Sequence, residues 1–194
     1  MKYLFLDTET GALEPESSDI LQLAWTLTDE EFKPLSSRSY FMKRTLPATE
    51  RAIQLNGLTD AFLKENSTDP YEVYNDFLKD LKQADVIVAH YAVFDKEFIC
   101  KDCFRRISAQ EMQTAKEIKR IISTTRTIDT KLDYIHLNVQ WKERKHPGPY
   151  LEELCHFLSV ETRELRFHRA DADVEAMRLC MKQIKYIYSD TIPS

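Results

Sequence analysis

Three β-rich segments at the start of the chain follow one another too closely for a helix to lie between them. They cover residues 2–7, 20–28 and 38–42, and each is rich in β-branched, aromatic or other apolar residues. Parallel strands need a long crossover that usually contains a helix, whereas antiparallel strands are joined by short loops. The spacing therefore predicts an antiparallel meander of three strands.

The pattern changes from strand-like to helical after Ala48. Apolar residues recur at three- and four-residue spacing between 71 and 81, and Pro70 marks the start of this helix. Residues 85–90 then contain the continuous apolar run VIVA at 86–89, which is typical of a buried strand in a parallel sheet. Further helices are predicted over residues 94–106, 109–123, 149–158 and 169–188.

The chain has 194 residues, enough for one domain with an apolar core and too few for two. We therefore expect a single domain over residues 1–194. No segment is long and apolar enough to span a bilayer. The apolar start of the chain ends at Asp7 without the cleavage site of a signal peptide. A cytoplasmic location without membrane contact is the expectation.

The four cysteines, Cys100, Cys103, Cys155 and Cys180, fit this location, because free thiols are the normal state in the cytosol. Cys100 and Cys103 form a single C-x-x-C motif. Its favoured interpretation is a pair of ordinary helical cysteines, and zinc binding or redox chemistry is the alternative.

The formal net charge of −5 argues against a protein that coats nucleic acid by bulk electrostatics. It does not exclude an enzyme that grips a few nucleotides, since divalent cations bound to an acidic cluster reverse the local charge. One basic stretch, WKERKHPGP at 141–149, is broken by proline and glycine and is predicted to be a loop. This loop is either an ordinary solvated surface or a place that holds phosphates.

Two carboxylates, Asp7 and Glu9, end the first strand two residues apart. The period of a strand points both side chains to the same face, and two adjacent negative charges favour a bound cation. Taken alone, a D-x-E pair is also common as surface decoration. Here an apolar strand delivers the pair directly into the Thr10-Gly11 turn, which favours a site.

Two further motifs place acidic groups at helix starts. Asp95 follows the strand that ends at His90, at the edge where α/β sheets bind ligands. His168, Asp171 and Asp173 open the last amphipathic helix. The alternative for each aspartate is to stabilise the N-terminus of its helix, and the alternative for the histidine is a structural role.

Together these residues supply carboxylate oxygens and one imidazole, a donor set that suits Mg²⁺ or Mn²⁺ better than zinc. Phosphodiester hydrolysis uses such a set. Two ions about 4 Å apart hold the phosphate, lower the pKa of the attacking water and stabilise the leaving oxygen. A histidine with a pKa near neutrality accepts the proton of that water.

With these motifs, the sequence resembles the DEDDh branch of the DnaQ-like 3′→5′ exonucleases, which includes proofreading exonucleases and ribonuclease T. The resemblance rests on FLDTETG at 5–11, HYAVFD at 90–95 and HRADAD at 168–173, in the order of the family. It implies an α/β protein with the ribonuclease H-like fold, a mixed five-stranded sheet flanked by helices. Residues 127–130 would be the fifth strand.

The resemblance also implies a role for each motif residue. His168 would be the general base, and the metal ligands that hold two Mg²⁺ or Mn²⁺ ions would be Asp7, Glu9, Asp95 and Asp173. These five residues would form the catalytic set, and Asp171 falls at a variable position. Asp129 lies outside the matched set, and we assign it a structural or supporting role.

A fourth segment, AIQLNGLT at 52–59, is similar to the segment of this family that flanks the terminal nucleotide, with Asn56 in place of the usual histidine. Leu13 and Leu58 would wedge or stack against bases, and Phe94 would pack by the sugar, with core packing as the alternative for all three. Backbone groups of Thr10, Gly11 and Ala12 would lie near the 3′-hydroxyl. Tyr91 stands where many members have asparagine and would stack a base or fill space.

Three functions compete. The first is metal-dependent removal of nucleotides from the 3′ end of single-stranded or frayed DNA, which we favour. The second is trimming of RNA 3′ ends, because nothing in the motifs reads the 2′-hydroxyl. The third is a non-catalytic module that binds a nucleic-acid end. A polymerase or a second copy of the chain is a possible partner by analogy with the family.

Overall fold

The computed structural model describes residues 1–143, 145 and 147–187. Within the predicted loop at 141–149, Arg144 and His146 lie outside the described residues, as does residue 188 at the end of the predicted last helix. None of the described helices is long and apolar enough to cross a membrane.

A mixed six-stranded sheet forms the centre of the fold, with the strand order β4-β3-β2-β1-β5-β6. Antiparallel pairing joins β1 to β2 and β2 to β3, which confirms the predicted meander. Parallel pairing joins β1 to β5, β5 to β6 and β3 to β4. The strands are β1 (Tyr3–Thr10), β2 (Ile20–Thr28), β3 (Pro34–Met42), β4 (Ser67–Thr68), β5 (Val86–Ala89) and β6 (Arg126–Asp129).

The five expected strands are present, and the sixth is the two-residue β4, which pairs with the end of β3. Two residues are too few to show an alternating pattern, so the sequence contains no signal for β4. The α/β fold class and the mixed sheet flanked by helices are confirmed.

Helices cover both faces of the sheet. The predicted helices at 94–106 and 109–123 correspond to α4 and α5, and those at 149–158 and 169–188 correspond to α7 and α8. Two single-turn 3₁₀ helices cover Ala109–Glu111 and Ile135–Leu137. The α-helices are α1 (Glu50–Asn56), α2 (Asp60–Asn66), α3 (Pro70–Leu81), α4 (Ala92–Arg106), α5 (Met112–Thr124), α6 (Val139–Lys142), α7 (Leu151–Phe157) and α8 (Ala170–Ile187).

The alternation of side chains along β1 divides the core into two layers. Leu4 and Leu6 pack with the buried residues of α3, α4 and α5. Tyr3 and Phe5 point to the other face and pack with α7 and α8. Strand β2 lies between β1 and β3 and is buried along its whole length. The same alternation fixes the faces to which Asp7, Thr8 and Glu9 point where β1 ends.

Candidate active site

Strand β1 delivers Asp7 and Glu9 to its carboxyl end, on the face covered by α8. Thr8 lies between them and points to the opposite face, toward α4. Its hydroxyl donates a hydrogen bond of 2.8 Å to Oδ1 of Asp95, which is 2% exposed. The strand therefore supplies two carboxylates directly and holds a third in place through Thr8.

The start of α4 is fixed by Asp129 at the end of β6. Its carboxylate accepts the backbone N–H of Tyr91 at 3.1 Å and of Ala92 at 2.9 Å. Tyr91 has a left-handed backbone with φ of 74°. Asp129 therefore satisfies amides at the helix start, where Asp95 lies one turn further on. This is the structural role that the sequence suggested for Asp129.

The last motif lies where α8 begins. Backbone N–H of His168 donates to Oδ2 of Asp173 at 3.2 Å, and the His168 side chain is exposed. The other carboxylate oxygen of Asp173, Oδ1, is buried and has no hydrogen-bond partner. Gln22 on β2 ties this helix start to the sheet. It accepts from the N–H of Ala170 at 3.2 Å and donates to Asp171 at 2.7 Å.

All five residues of the predicted catalytic set line one cleft of about 730 Å³. They are Asp7, Glu9, Asp95, His168 and Asp173. One ligand atom from each of Glu9, His168 and Asp173 lies within 4.8 Å of the others. Three separate parts of the chain thus converge on one cleft.

The electrostatics of the cleft disfavour four free carboxylates. Burial raises the pKa of Asp7 well above its usual value, and the charges of Asp95 and Asp173 raise it further. Burial raises the pKa of Glu9 to about 7, against a hydrogen bond from Asn56, and that of Asp95 to about 7, against the hydrogen bond from Thr8.

Asp173 shows the same effect. Burial and the charge of Glu9 raise its pKa to about 8. A bound cation would favour the charged forms of all these groups.

A family model described as exonuclease, RNase T, matches residues 4–178. The chain belongs to this exonuclease family. It is a member of the DnaQ-like superfamily and carries the DEDDh pattern of motifs. No curated protein matches the chain in sequence.

Solved structures of exonuclease I share the fold of this exonuclease-family chain. E. coli exonuclease I in a zinc-bound complex with single-stranded DNA superposes over 98% of this chain with a TM-score of 0.76 and 18% identity. Exonuclease I of Methylocaldum szegediense gives a TM-score of 0.73 over 98% of this chain, at 16% identity. This chain spans only 41% of each of those two proteins.

Six of the eight residues predicted to contact substrate line the cleft of this exonuclease-family chain. These are Thr10, Ala12, Leu13, Asn56, Tyr91 and Phe94. Leu13 is 79% exposed and Tyr91 is 45% exposed, so both are accessible to a nucleotide. Phe94 packs on Phe98 with ring centroids 4.7 Å apart. The contacts of these residues with a substrate remain predictions.

The structure contradicts the predicted contact of Leu58 with a terminal base. The residue is 1% exposed and packs with Leu21 and Leu63, outside the cleft. Helix α1 ends at Gly57, whose left-handed backbone with φ of 73° turns the chain and directs Leu58 inward. Leu55, which is 52% exposed, lines the cleft instead.

The structure also contradicts the predicted contact of the Gly11 backbone with the 3′-hydroxyl. Its N–H donates to the carbonyl of Asp19, and its carbonyl accepts from the N–H and the hydroxyl of Thr49, so neither group is left for a 3′-hydroxyl. A Cβ at this position would lie 2.7 Å from Oγ of Ser18. Gly11 therefore allows two loops to pack closely behind the cleft.

Asn56 lines the cleft but forms its hydrogen bonds within the chain. Its amide donates to the carbonyl of Thr10 at 3.4 Å, and its side-chain oxygen accepts the N–H of Leu58 at 3.0 Å. It also bonds to Glu9 and so lowers the pKa of that group. Asn56 is therefore a residue that positions Glu9, and its contact with a nucleotide stays a prediction.

Sequence reasoning missed several residues of this site. Thr8 and Gln22 are buried polar side chains in strands, and their burial becomes apparent only in the folded structure. Arg51 and Leu55 line the cleft from α1, where the short helix gave no clear pattern. The C-x-x-C cysteines lie in α4, and the thiol of buried Cys103 donates to the carbonyl of Cys100, as expected for ordinary helical cysteines.

Proposed function

We propose that this chain is a metal-dependent 3′→5′ exonuclease that removes nucleotides from the 3′ end of single-stranded or frayed nucleic acid, with DNA as the favoured substrate. One observation carries the proposal. The catalytic set of the DEDDh pattern, complete in the sequence, converges in a single open cleft. A non-catalytic binding module has no need of such a set, and this disfavours the third of the competing functions.

The cleft fits divalent cations. Oδ1 of Asp173 is a buried oxygen without a partner, and the pKa values of Asp7, Glu9, Asp95 and Asp173 are raised by burial. Such groups gain a partner and lose mutual repulsion when a cation binds. Their oxygen atoms suit Mg²⁺ or Mn²⁺, and we assign these four carboxylates to hold two ions.

Held by these four carboxylates, two divalent ions would make the attacking water more acidic and would offset the negative charge on the phosphate and on the leaving 3′-oxygen. The side chains of the protein accept the proton and position the substrate. The exposed imidazole of His168 lies within 4.8 Å of Glu9 and Asp173, where it accepts the proton of the attacking water. Exposed Leu13 and Leu55 hold the terminal base, and Phe94 packs by its sugar.

DNA is favoured over RNA because E. coli exonuclease I, which shares this fold, is bound to single-stranded DNA in its zinc-bound complex. RNA trimming remains the second candidate. The cleft residues bind sugar, phosphate and metal and do not distinguish a ribose from a deoxyribose.

The test uses 5′-labelled single-stranded DNA and RNA of the same sequence, with Mg²⁺, with Mn²⁺ and with EDTA. We expect the DNA to shorten stepwise with either metal and to remain intact in EDTA. Asp173→Asn should lower the rate by about 10²-fold or more, because it replaces a charged metal ligand with a neutral amide. Asp171→Asn is the matched control, since Asp171 is exposed and lies two residues away on the same helix.

Intact DNA and RNA under both metals would reject the proposal and favour the binding module. Faster shortening of RNA than of DNA would reject only the substrate preference. Equal rates for Asp171→Asn and Asp173→Asn would reject the assignment of the last motif.

A further inference from the structure

Beyond Tyr91, the rim of the cleft continues onto a surface formed by Tyr91, Lys131 and Tyr150, which we call the tyrosine–lysine platform. Nζ of Lys131 lies 5.3 Å from the ring centroid of Tyr91 and 5.7 Å from that of Tyr150. The two tyrosines are 45% and 68% exposed. A cation therefore stands over two aromatic rings that solvent reaches.

The loop that carries Tyr150 is built around Lys131. Gly148 has φ of 100°, and a Cβ there would lie 2.5 Å from Cγ of Lys131. Only glycine lets the stem of Lys131 lie against this loop. Nε2 of His90 bonds to the carbonyl of Pro149 at 3.1 Å, and the N–H of Tyr150 donates to Oε2 of Glu153 at 2.8 Å. His90 also lines the cleft, so its bond to Pro149 holds the platform beside the cleft.

The charge of Lys131 is available to a ligand. Across residues 1–143, 145 and 147–187, no carboxylate forms an ion pair with it. Asp129, two residues earlier in the chain, is engaged by the backbone N–H groups of Tyr91, Ala92 and Lys131. An ammonium group without an anionic partner between two exposed rings suits a phosphate flanked by bases.

The sheet order separates the platform from the part of the cleft assigned to the terminal nucleotide. The platform lies beside β5 and β6, on one side of β1. The loop that carries Leu13 leads from β1 into β2, and Leu58, just after α1, packs on Leu21 of β2, on the other side of β1. A strand whose terminal nucleotide contacts Leu13 and Leu55 therefore crosses the carboxylates to reach Tyr91.

We propose that the tyrosine–lysine platform binds the nucleotides upstream of the scissile phosphate in single-stranded nucleic acid. Bases stack on Tyr91 and Tyr150, and Lys131 contacts a backbone phosphate. The proposal rests on the proposed function, because it uses the direction in which a 3′ end enters the cleft. It implies that a substrate of several nucleotides is bound more tightly than a dinucleotide.

The first experiment measures binding by fluorescence anisotropy, with 5′-labelled phosphorothioate oligothymidylates of two and eight nucleotides. Tyr150→Ala should weaken binding of the octamer about tenfold, whereas Tyr150→Phe, which keeps the ring, should not. Lys131→Met keeps the stem against Gly148 and removes the charge. It should lower the slope of log Kd against log salt by about 0.7, the contribution of one phosphate contact to a single strand.

The second experiment measures kcat/KM for an unmodified octamer and dinucleotide with Mg²⁺. The ratio of the two values should fall about tenfold in Tyr150→Ala and in Lys131→Met. The matched controls are Tyr186→Ala and Lys33→Met. Tyr186 is an 84% exposed tyrosine near the far end of α8, and Lys33 is exposed in the turn at the other end of the sheet. Both should keep the wild-type ratio.

Octamer affinity, salt slope and rate ratio that match wild type in both platform variants would overturn the proposal. A loss in Tyr150→Phe as large as that in Tyr150→Ala would overturn the stacking role. A wild-type protein that hydrolyses neither substrate, with variants that still bind the octamer more weakly, would reject the proposed function and support the platform as a binding surface.

Discussion

His168 carries its imidazole on a left-handed backbone with φ of 62°, a conformation that costs a non-glycine residue about 1–2 kcal/mol. The turn lets its N–H reach Asp173 while its side chain remains exposed beside Glu9. The sequence predicted the histidine and its partner from their spacing. It contained no sign of the strained backbone, because residues around 168 show neither glycine nor asparagine, the residues that usually signal such a conformation.

This strain separates the effects of two substitutions. His168→Ala and His168→Gly should both lower kcat by about 10²–10⁴-fold, since both remove the general base. His168→Gly should be the more stable of the two by roughly 1 kcal/mol in urea denaturation, because glycine relieves the strain. Ser159→Gly is a matched control at another left-handed residue, with φ of 55°, and should retain activity. Alanine and glycine variants of equal stability would contradict the argument.

At the scale of elements, the sequence predicted what long periodic patterns specify. The meander, β5 and the helices α3, α4, α5 and α8 follow from apolar runs or three- and four-residue spacing. For the segment at 52–59, the sequence does not show which leucine faces the cleft, because Leu55 and Leu58 both lie in a short stretch. Gly57 lies between them, and its left-handed backbone ends α1, so that Leu58 points to the core.

The reassignment of these two leucines predicts opposite consequences of truncation. Leu58→Ala should lower the free energy of unfolding by about 2–5 kcal/mol, because it opens a cavity beside Leu21 and Leu63. Leu55→Ala should change stability by less than about 0.5 kcal/mol and raise KM for oligonucleotides. Urea denaturation and initial rates measure both. A KM effect from Leu58→Ala without loss of stability would restore Leu58 as a contact to the substrate.

The contact at the junction between the end of β6 and the start of α4 explains the role of Asp129. Asp129→Ala would leave the N–H groups of Tyr91 and Ala92 without their acceptor and should cost about 1–2 kcal/mol of stability. Because the same junction orients Asp95, kcat/KM should fall about tenfold. Asp129→Asn keeps one acceptor and should lie between wild type and Asp129→Ala. Thermal denaturation and hydrolysis rates that are unchanged in Asp129→Ala would show that the junction does not depend on this carboxylate.

At the scale of the molecule, the mixed sheet explains why residues far apart in sequence form one site. Strands β1 and β5 run parallel, so their carboxyl ends share an edge, and α8, which packs on one face of the sheet, brings Asp173 of its first turn into the cleft at that edge. The motifs predicted this convergence because each follows a strand or opens a helix. The buried links that hold it, Thr8 to Asp95 and Gln22 to the start of α8, depend on tertiary contacts that a local pattern does not encode.

The concentrated carboxylates should make the stability of the whole chain depend on pH and on metal. A carboxyl whose folded-state pKa is raised binds its proton more tightly in the folded state than in the unfolded state. Protonated Glu9, Asp95 and Asp173 therefore favour folding. This contribution is lost as pH rises from the unfolded values of 3.8 and 4.5 through the folded values of about 7 to 8.

In EDTA, the Tm of wild type should therefore fall relative to that of Asp173→Asn between pH 5 and pH 8. The expected difference is at least about 2–4 °C, the equivalent of about 1 kcal/mol for a chain of this size. Mg²⁺ or Mn²⁺ should raise the Tm of wild type at pH 8 far more than at pH 5, because cations bind the ionised carboxylates and compete with protons. Asp173→Asn should respond less to either ion. A metal effect independent of pH, or equal in the two proteins, would mean that the cations bind elsewhere on the chain.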